Sequence, residues 1–70
     1  MEHQAVRSRD IAIIGYEPET STLEIAFRTG SVYRYAGVPE DVHRAFMAAS
    51  SYGLYFRDHI REKYKAEKIT

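Results

Sequence analysis

The side chains best suited to chemistry in this chain are Arg34, Tyr55, Arg57, Arg61 and Lys65. Arg57 and Arg61 are spaced i, i+4, and Lys65 continues the row, which is one face of a helix. Arg34 lies between Tyr33 and Tyr35 in a strand-like segment. Guanidinium and ammonium groups hold phosphates, and tyrosine rings stack on bases. These residues therefore form the candidate nucleic-acid-binding set. Tyr55 is its stacking candidate, because it falls off the apolar stripe of its helix. From Leu54 to Thr70 five basic residues meet three acidic ones, a local excess of two. That excess is small, and a solvated helix with its own ion pairs, such as Asp58 with Arg61, has the same pattern.

Other chemistry finds less support. His3, His43 and His59 are scattered, and no spacing matches a metal-binding motif, so no metal is expected. Acyl transfer would need a serine, a histidine within reach and an oxyanion hole. Ser50 or Ser51 with His59 could be drawn that way, but Ser51 has a helix-capping role to fill. Glu17 and Glu19 flank a proline turn and read as solvated. The glycines never cluster into a phosphate cradle. No catalytic residue, no cofactor and no enzymatic activity is expected.

The elements that must position these residues have to fit in 70 residues and 8.1 kDa, the size of a single domain spanning 1–70. Ten basic residues balance ten acidic ones, and 44% of the chain is hydrophobic. This composition excludes a disordered polyelectrolyte and a uniformly basic clamp, while leaving room for a local patch. Cysteine is absent, so no disulfide framework or thiol nucleophile exists. No apolar run approaches the ~20 residues that span a bilayer. A domain this small buries only about 60% of its unfolded surface, so its six tyrosines and three phenylalanines must supply much of the core.

Residues 1–6 are polar and read as a frayed tail. Ile11 to Tyr16 is rich in β-branched residues and predicts a strand, and the segment Glu17 to Ser21 predicts a turn. From Thr22 to Arg28 the chain alternates, with Leu23, Ile25 and Phe27 on one face. Arg28-Thr29-Gly30 breaks the run before a third strand, Ser31 to Ala36. The period then changes to 3.6. Pro39 opens a helix over about 39–49, with Glu40 and Asp41 in its first turn and Val42, Ala45, Phe46 and Ala49 on its apolar face. Ser51 caps a second helix over about 52–66, whose stripe is Tyr52, Phe56, Ile60 and Tyr64. The predicted fold is α+β, a three-stranded antiparallel β-meander followed by two α-helices packed on one face. Its expected core is Leu23, Ile25, Phe27, Tyr33, Tyr35, Phe46, Phe56 and Ile60.

The turn after Arg28 decides where the central tyrosines go. A two-residue loop would pair Phe27 with Val32 and Ala26 with Tyr33, turning Tyr33 and Tyr35 toward the face of Glu24. A three-residue loop with a left-handed Gly30 at a bulge would pair Ile25 with Tyr33 and Leu23 with Tyr35. The second register buries the aromatics and is favoured.

The ordered set Ile14-Gly15-Tyr16, Leu23/Ile25/Phe27, Gly30, Tyr33/Tyr35, Val38-Pro39, Ser51/Gly53/Tyr55-Phe56, Ile60-Arg61 and Tyr64 resembles the KTSC domain. This short bacterial domain is named for the C-terminus of certain lysyl-tRNA synthetases and also occurs alone. The resemblance runs from about Val6 to Tyr64. It implies RNA binding, from the synthetase context, and no catalytic residue. RNA is thus the first expected partner, and a protein partner or self-association is the alternative. The expected location is the cytoplasm, without membrane association.

Overall fold

The computed structural model describes residues 1–70. Its elements are β1 (Glu2–Ala5), β2 (Ile11–Glu17), β3 (Thr22–Phe27), β4 (Val32–Ala36), α1 (Glu40–Met47), α2 (Tyr52–His59) and β5 (Lys65–Lys68). The strands form one five-stranded sheet in the order β1-β2-β3-β4-β5, antiparallel throughout. The two helices pack on one face, so the α+β class stands, but the sheet has five strands where the sequence pointed to three.

Both extra strands are edges, and every residue in them is exposed. The supposed tail is β1, which pairs His3 with Gly15 and Gln4 with Ile14. The second correction concerns the last helix. It ends at His59, with Ile60 as its C-cap, and the Arg61 amide bonds the Phe56 carbonyl at 2.8 Å. This wider closure replaces the regular helical ladder. The chain then turns back, and Lys65 pairs with Ala36 in β5. Arg61 therefore lies just past the end of the helix and Lys65 in a strand, so the predicted helical row of Arg57, Arg61 and Lys65 does not form.

The β3–β4 turn takes the bulged register. Leu23 faces Tyr35 and Ile25 faces Tyr33, while the Phe27 amide bonds the Ser31 carbonyl at 2.8 Å. Gly30 has φ 101°, a conformation that side chains with a Cβ rarely adopt. Alternation then places Ile14, Ile25 and Tyr33 on the helix side, with Tyr16, Leu23 and Tyr35 one step along.

The core is Val6, Ile11, Ile14, Tyr16, Leu23, Ile25, Tyr35, Val38, Phe46 and Ile60. Of the residues expected there, Phe27, Tyr33 and Phe56 are only partly buried and pack against it. Phe56 meets Phe27 and Tyr35 edge-on, with ring centroids 5.4 and 5.7 Å apart. The Tyr16 ring stacks on His43 at 4.4 Å, and its hydroxyl donates to the Val38 carbonyl at 2.6 Å, tying α1 and its approach to the sheet. Pro39 is the N-cap of α1, and its carbonyl accepts from Val42 and His43. Ser51 caps α2, its hydroxyl accepting from the Leu54 amide at 3.3 Å. Caps of this kind contribute about 0.5–2 kcal/mol.

Gly15 holds β1 in place by being small. A Cβ there would lie 2.6 Å from His3 Cδ2, so the imidazole occupies the missing side chain's space and reaches Glu24 Oε1 at 2.9 Å. Gly15→Ala should displace that ring while leaving the core intact. Amide hydrogen exchange of residues 2–5 should then quicken relative to β2–β4. Unchanged protection of β1 would show that the fit over Gly15 contributes nothing.

Candidate nucleic-acid interface

A cleft of about 680 Å³ opens between α2 and the loop joining β1 to β2. Arg7 and Arg9 line it from the loop, and Arg57 and Arg61 from the helix side. Phe27 and Phe56 contribute half-buried rings, and Leu54, 52% exposed, stands at the rim. Of the four arginines, only Arg57 is ion-paired, to Asp58 at 2.9 Å, and both of those side chains are more than half exposed. That pairing keeps the Asp58 carboxyl below its ordinary value. Arg7, Arg9 and Arg61 carry no ion pair.

Asp10 is the one acidic residue of the lining, and its Oδ2 lies 3.8 Å from where a Cβ of Gly53 would be. A carboxylate already faces the first turn of α2, where the helix dipole favours negative charge. The arginines, rather than the helix end, are the groups left to hold an anion.

The loop is shaped from beneath by Arg28. Its Nη2 donates to the Val6 carbonyl at 3.0 Å and its Nε to the Ser8 carbonyl at 3.1 Å. Its backbone amide also donates to the Asp10 carbonyl at 2.8 Å. A guanidinium offers several donors in a rigid plane, so one residue can hold two carbonyls of a loop. Arg7 and Arg9 thereby stand on a fixed segment.

The residues singled out from the sequence do not form one surface. Arg57 and Arg61 share the cleft. Arg34 lies on the sheet face opposite the helices, where its Nε donates to Glu24 Oε2 at 2.7 Å. Lys65 sits beside it across β4 and β5. Tyr55 is engaged between the helices, its ring stacked on Phe46 at 5.4 Å and against His59 at 4.5 Å. Its hydroxyl reaches the Val42 carbonyl at 3.4 Å, and burial pushes its pKa up. Arg7 and Arg9 were missed. Their signal was the Arg-x-Arg spacing just ahead of the first apolar strand. No group of three or more His, Asp or Glu is placed to hold a metal, and no helix is long and apolar enough to cross a membrane.

An antiparallel sheet with two helices inserted before its last strand, and a basic cleft where helix meets loop, describes a small α+β domain. The KTSC domain model matches residues 7–64, and this chain belongs to that family. It is similar to the crystal structure of a KTSC domain protein from Yersinia pestis, with TM-score 0.95 and 43% identity over 99% of this chain and 97% of that one. An uncharacterised protein of Stutzerimonas stutzeri is 39% identical over 80% of this chain and 79% of its own length. A lysine–tRNA ligase of Nostoc sp. is 40% identical over 79% of this chain, which corresponds to 10% of that ligase.

The outer-face pairs carry a pH signature. The hydrogen bond from Arg34 holds the Glu24 carboxyl below its ordinary value, against the opposing push of burial, and His3 adds to the lowering. A carboxyl depressed on folding contributes stability that is present above its unfolded pKa and lost as pH falls through the folded one. Urea unfolding of the protein and of Glu24→Gln, from about pH 6 to about pH 3, should show a stability difference that shrinks only below the ordinary carboxylate range of about 4.3. A difference constant over that range would remove the ion pairs from the account.

Proposed function

We propose that this KTSC domain is a non-catalytic RNA-binding module whose phosphate-binding surface is the cleft of Arg7, Arg9, Arg57 and Arg61. The observation that carries this reading is their convergence. Two segments far apart in sequence bring four arginines to one concave surface, against a single lining carboxylate. In a chain with no net charge, that is a concentration of positive potential where a polyanion would be held. The similarity to part of lysine–tRNA ligases, proteins named for a reaction on tRNA, supports the same reading. Serine and histidine do not converge in the cleft: Ser50 and Ser51 line it, while His59 packs against Tyr55.

One observation favours a second reading, self-association. Ile13 and Val32 fall on the helix-free face of the sheet, Ile69 pairs with Val32 through the backbone, and both isoleucines are exposed, at 38% and 42%. Sedimentation at rising protein concentration distinguishes the two readings. An RNA module acting alone stays monomeric without RNA.

The direct test is a titration with mixed-sequence RNA at several salt concentrations. Affinity should fall as salt rises, because phosphate contacts release condensed counterions. Replacing Arg57 and Arg61 by Gln should weaken binding across sequences and flatten the salt dependence by about two contacts. Arg34→Gln, on the opposite face, should leave both unchanged. Absence of binding at low salt, or an unaltered slope in the double variant, would overturn the proposal.

A further inference from the structure

The cleft does not end at Phe27. A second cavity of about 400 Å³ continues toward the β3–β4 turn, and Arg9, Asp10 and Phe27 line both. Tyr33 lines the far cavity. The combined surface alternates in character. Arginines bound the first cavity, the Phe27 ring stands at the junction, and the Tyr33 ring follows it. Phe27 and Tyr33 are both half-buried, packed edge-on at 5.9 Å. The hydroxyls of Tyr16 and Tyr55 are bonded to backbone carbonyls, whereas that of Tyr33, like those of Tyr35, Tyr52 and Tyr64, has no partner in the chain. Arg28 also lines the second cavity, but its guanidinium is committed to the carbonyls of Val6 and Ser8.

A basic groove with partly exposed rings along it is the arrangement that tracks a single strand. Cations follow the backbone, and each ring offers its face to an unstacked base. A duplex cannot use such rings, because its bases are stacked on each other and its rim presents phosphates and sugars. Resting on the RNA reading above, we propose that the two joined cavities take single-stranded RNA. Its phosphates lie on Arg7, Arg9, Arg57 and Arg61, and its bases lie against Phe27 and Tyr33.

Fluorescence anisotropy with an unstructured oligoribonucleotide and with a blunt duplex of equal length, at one low salt concentration, tests this. The single strand should bind at least tenfold more tightly. Tyr33→Leu should weaken single-strand binding by roughly 5- to 150-fold and leave duplex binding unchanged. Tyr33→Phe keeps the ring and should retain single-strand affinity, and thermal melting of both variants checks that they fold. If Tyr33→Leu does not fold, the single-strand against duplex comparison on the unaltered protein decides the inference by itself. Equal or tighter binding of the duplex would overturn the single-strand inference while leaving the RNA reading intact. Binding of neither would overturn both.

Discussion

The bulged turn at Gly30 governs the rest of the molecule. Its positive φ lets the chain reverse with one extra residue, so that Tyr33 and Tyr35 fall opposite Ile25 and Leu23. A slip of one position would turn both rings to the helix-free side, since side chains alternate along a strand. With the rings inward, Phe27, Tyr33, Tyr35 and Phe56 form one connected aromatic layer between the sheet and α2. For a domain with so little interior, that layer is a large part of what opposes chain entropy. Burial raises the Tyr35 hydroxyl pKa above its ordinary value, with Tyr33 adding to the rise, while the Arg61 charge opposes it.

The same turn region organises the basic surface. Arg28, at the end of β3, grips the carbonyls of Val6 and Ser8 from across the sheet. The loop bearing Arg7 and Arg9 is therefore held against the end of the sheet that receives α2. On the helix side, the Ser51 cap sets where α2 begins, and so where Arg57 projects. Cations held on fixed supports lose less freedom on binding than cations on a loose tail, which is the advantage of preorganisation. The helix-free face has a different organisation. Glu24 lies there between Arg34, which donates to it at 2.7 Å, and the His3 ring over Gly15, 2.9 Å away.

What could be read from the residues divides along physical lines. β3 was legible because its buried face prints alternation on the sequence, and β2 because its β-branched residues favour a strand even where a bulge breaks the alternation. β1 and β5 were not, because their side chains are exposed and their pairing is made by the backbone. The second helix was read too long because Tyr64 continues the spacing of Phe56 and Ile60. Tyr64 does pack against the core, but from a turn after the helix has closed at Ile60. The i, i+4 spacing of Arg57 and Arg61 brought half of the cleft into view. Arg7 and Arg9 escaped because what fixes them is Arg28, some twenty residues away. Tyr55 lies off the stripe facing the sheet, yet it meets α1 instead of solvent, a contact that one helix's periodicity cannot show.

The central claim is that RNA occupies the cleft between α2 and the Arg28-supported loop. The most direct measurement is a map of backbone amide shifts in nuclear magnetic resonance spectra as a short single-stranded RNA is added. The account predicts the largest changes at Arg7, Ser8, Arg9 and Asp10, at Gly53 to Arg57, and at Arg61, with Gly15, Glu24, Arg34 and Glu67 unmoved. Changes concentrated on that helix-free face, or spread evenly over the molecule, would contradict it.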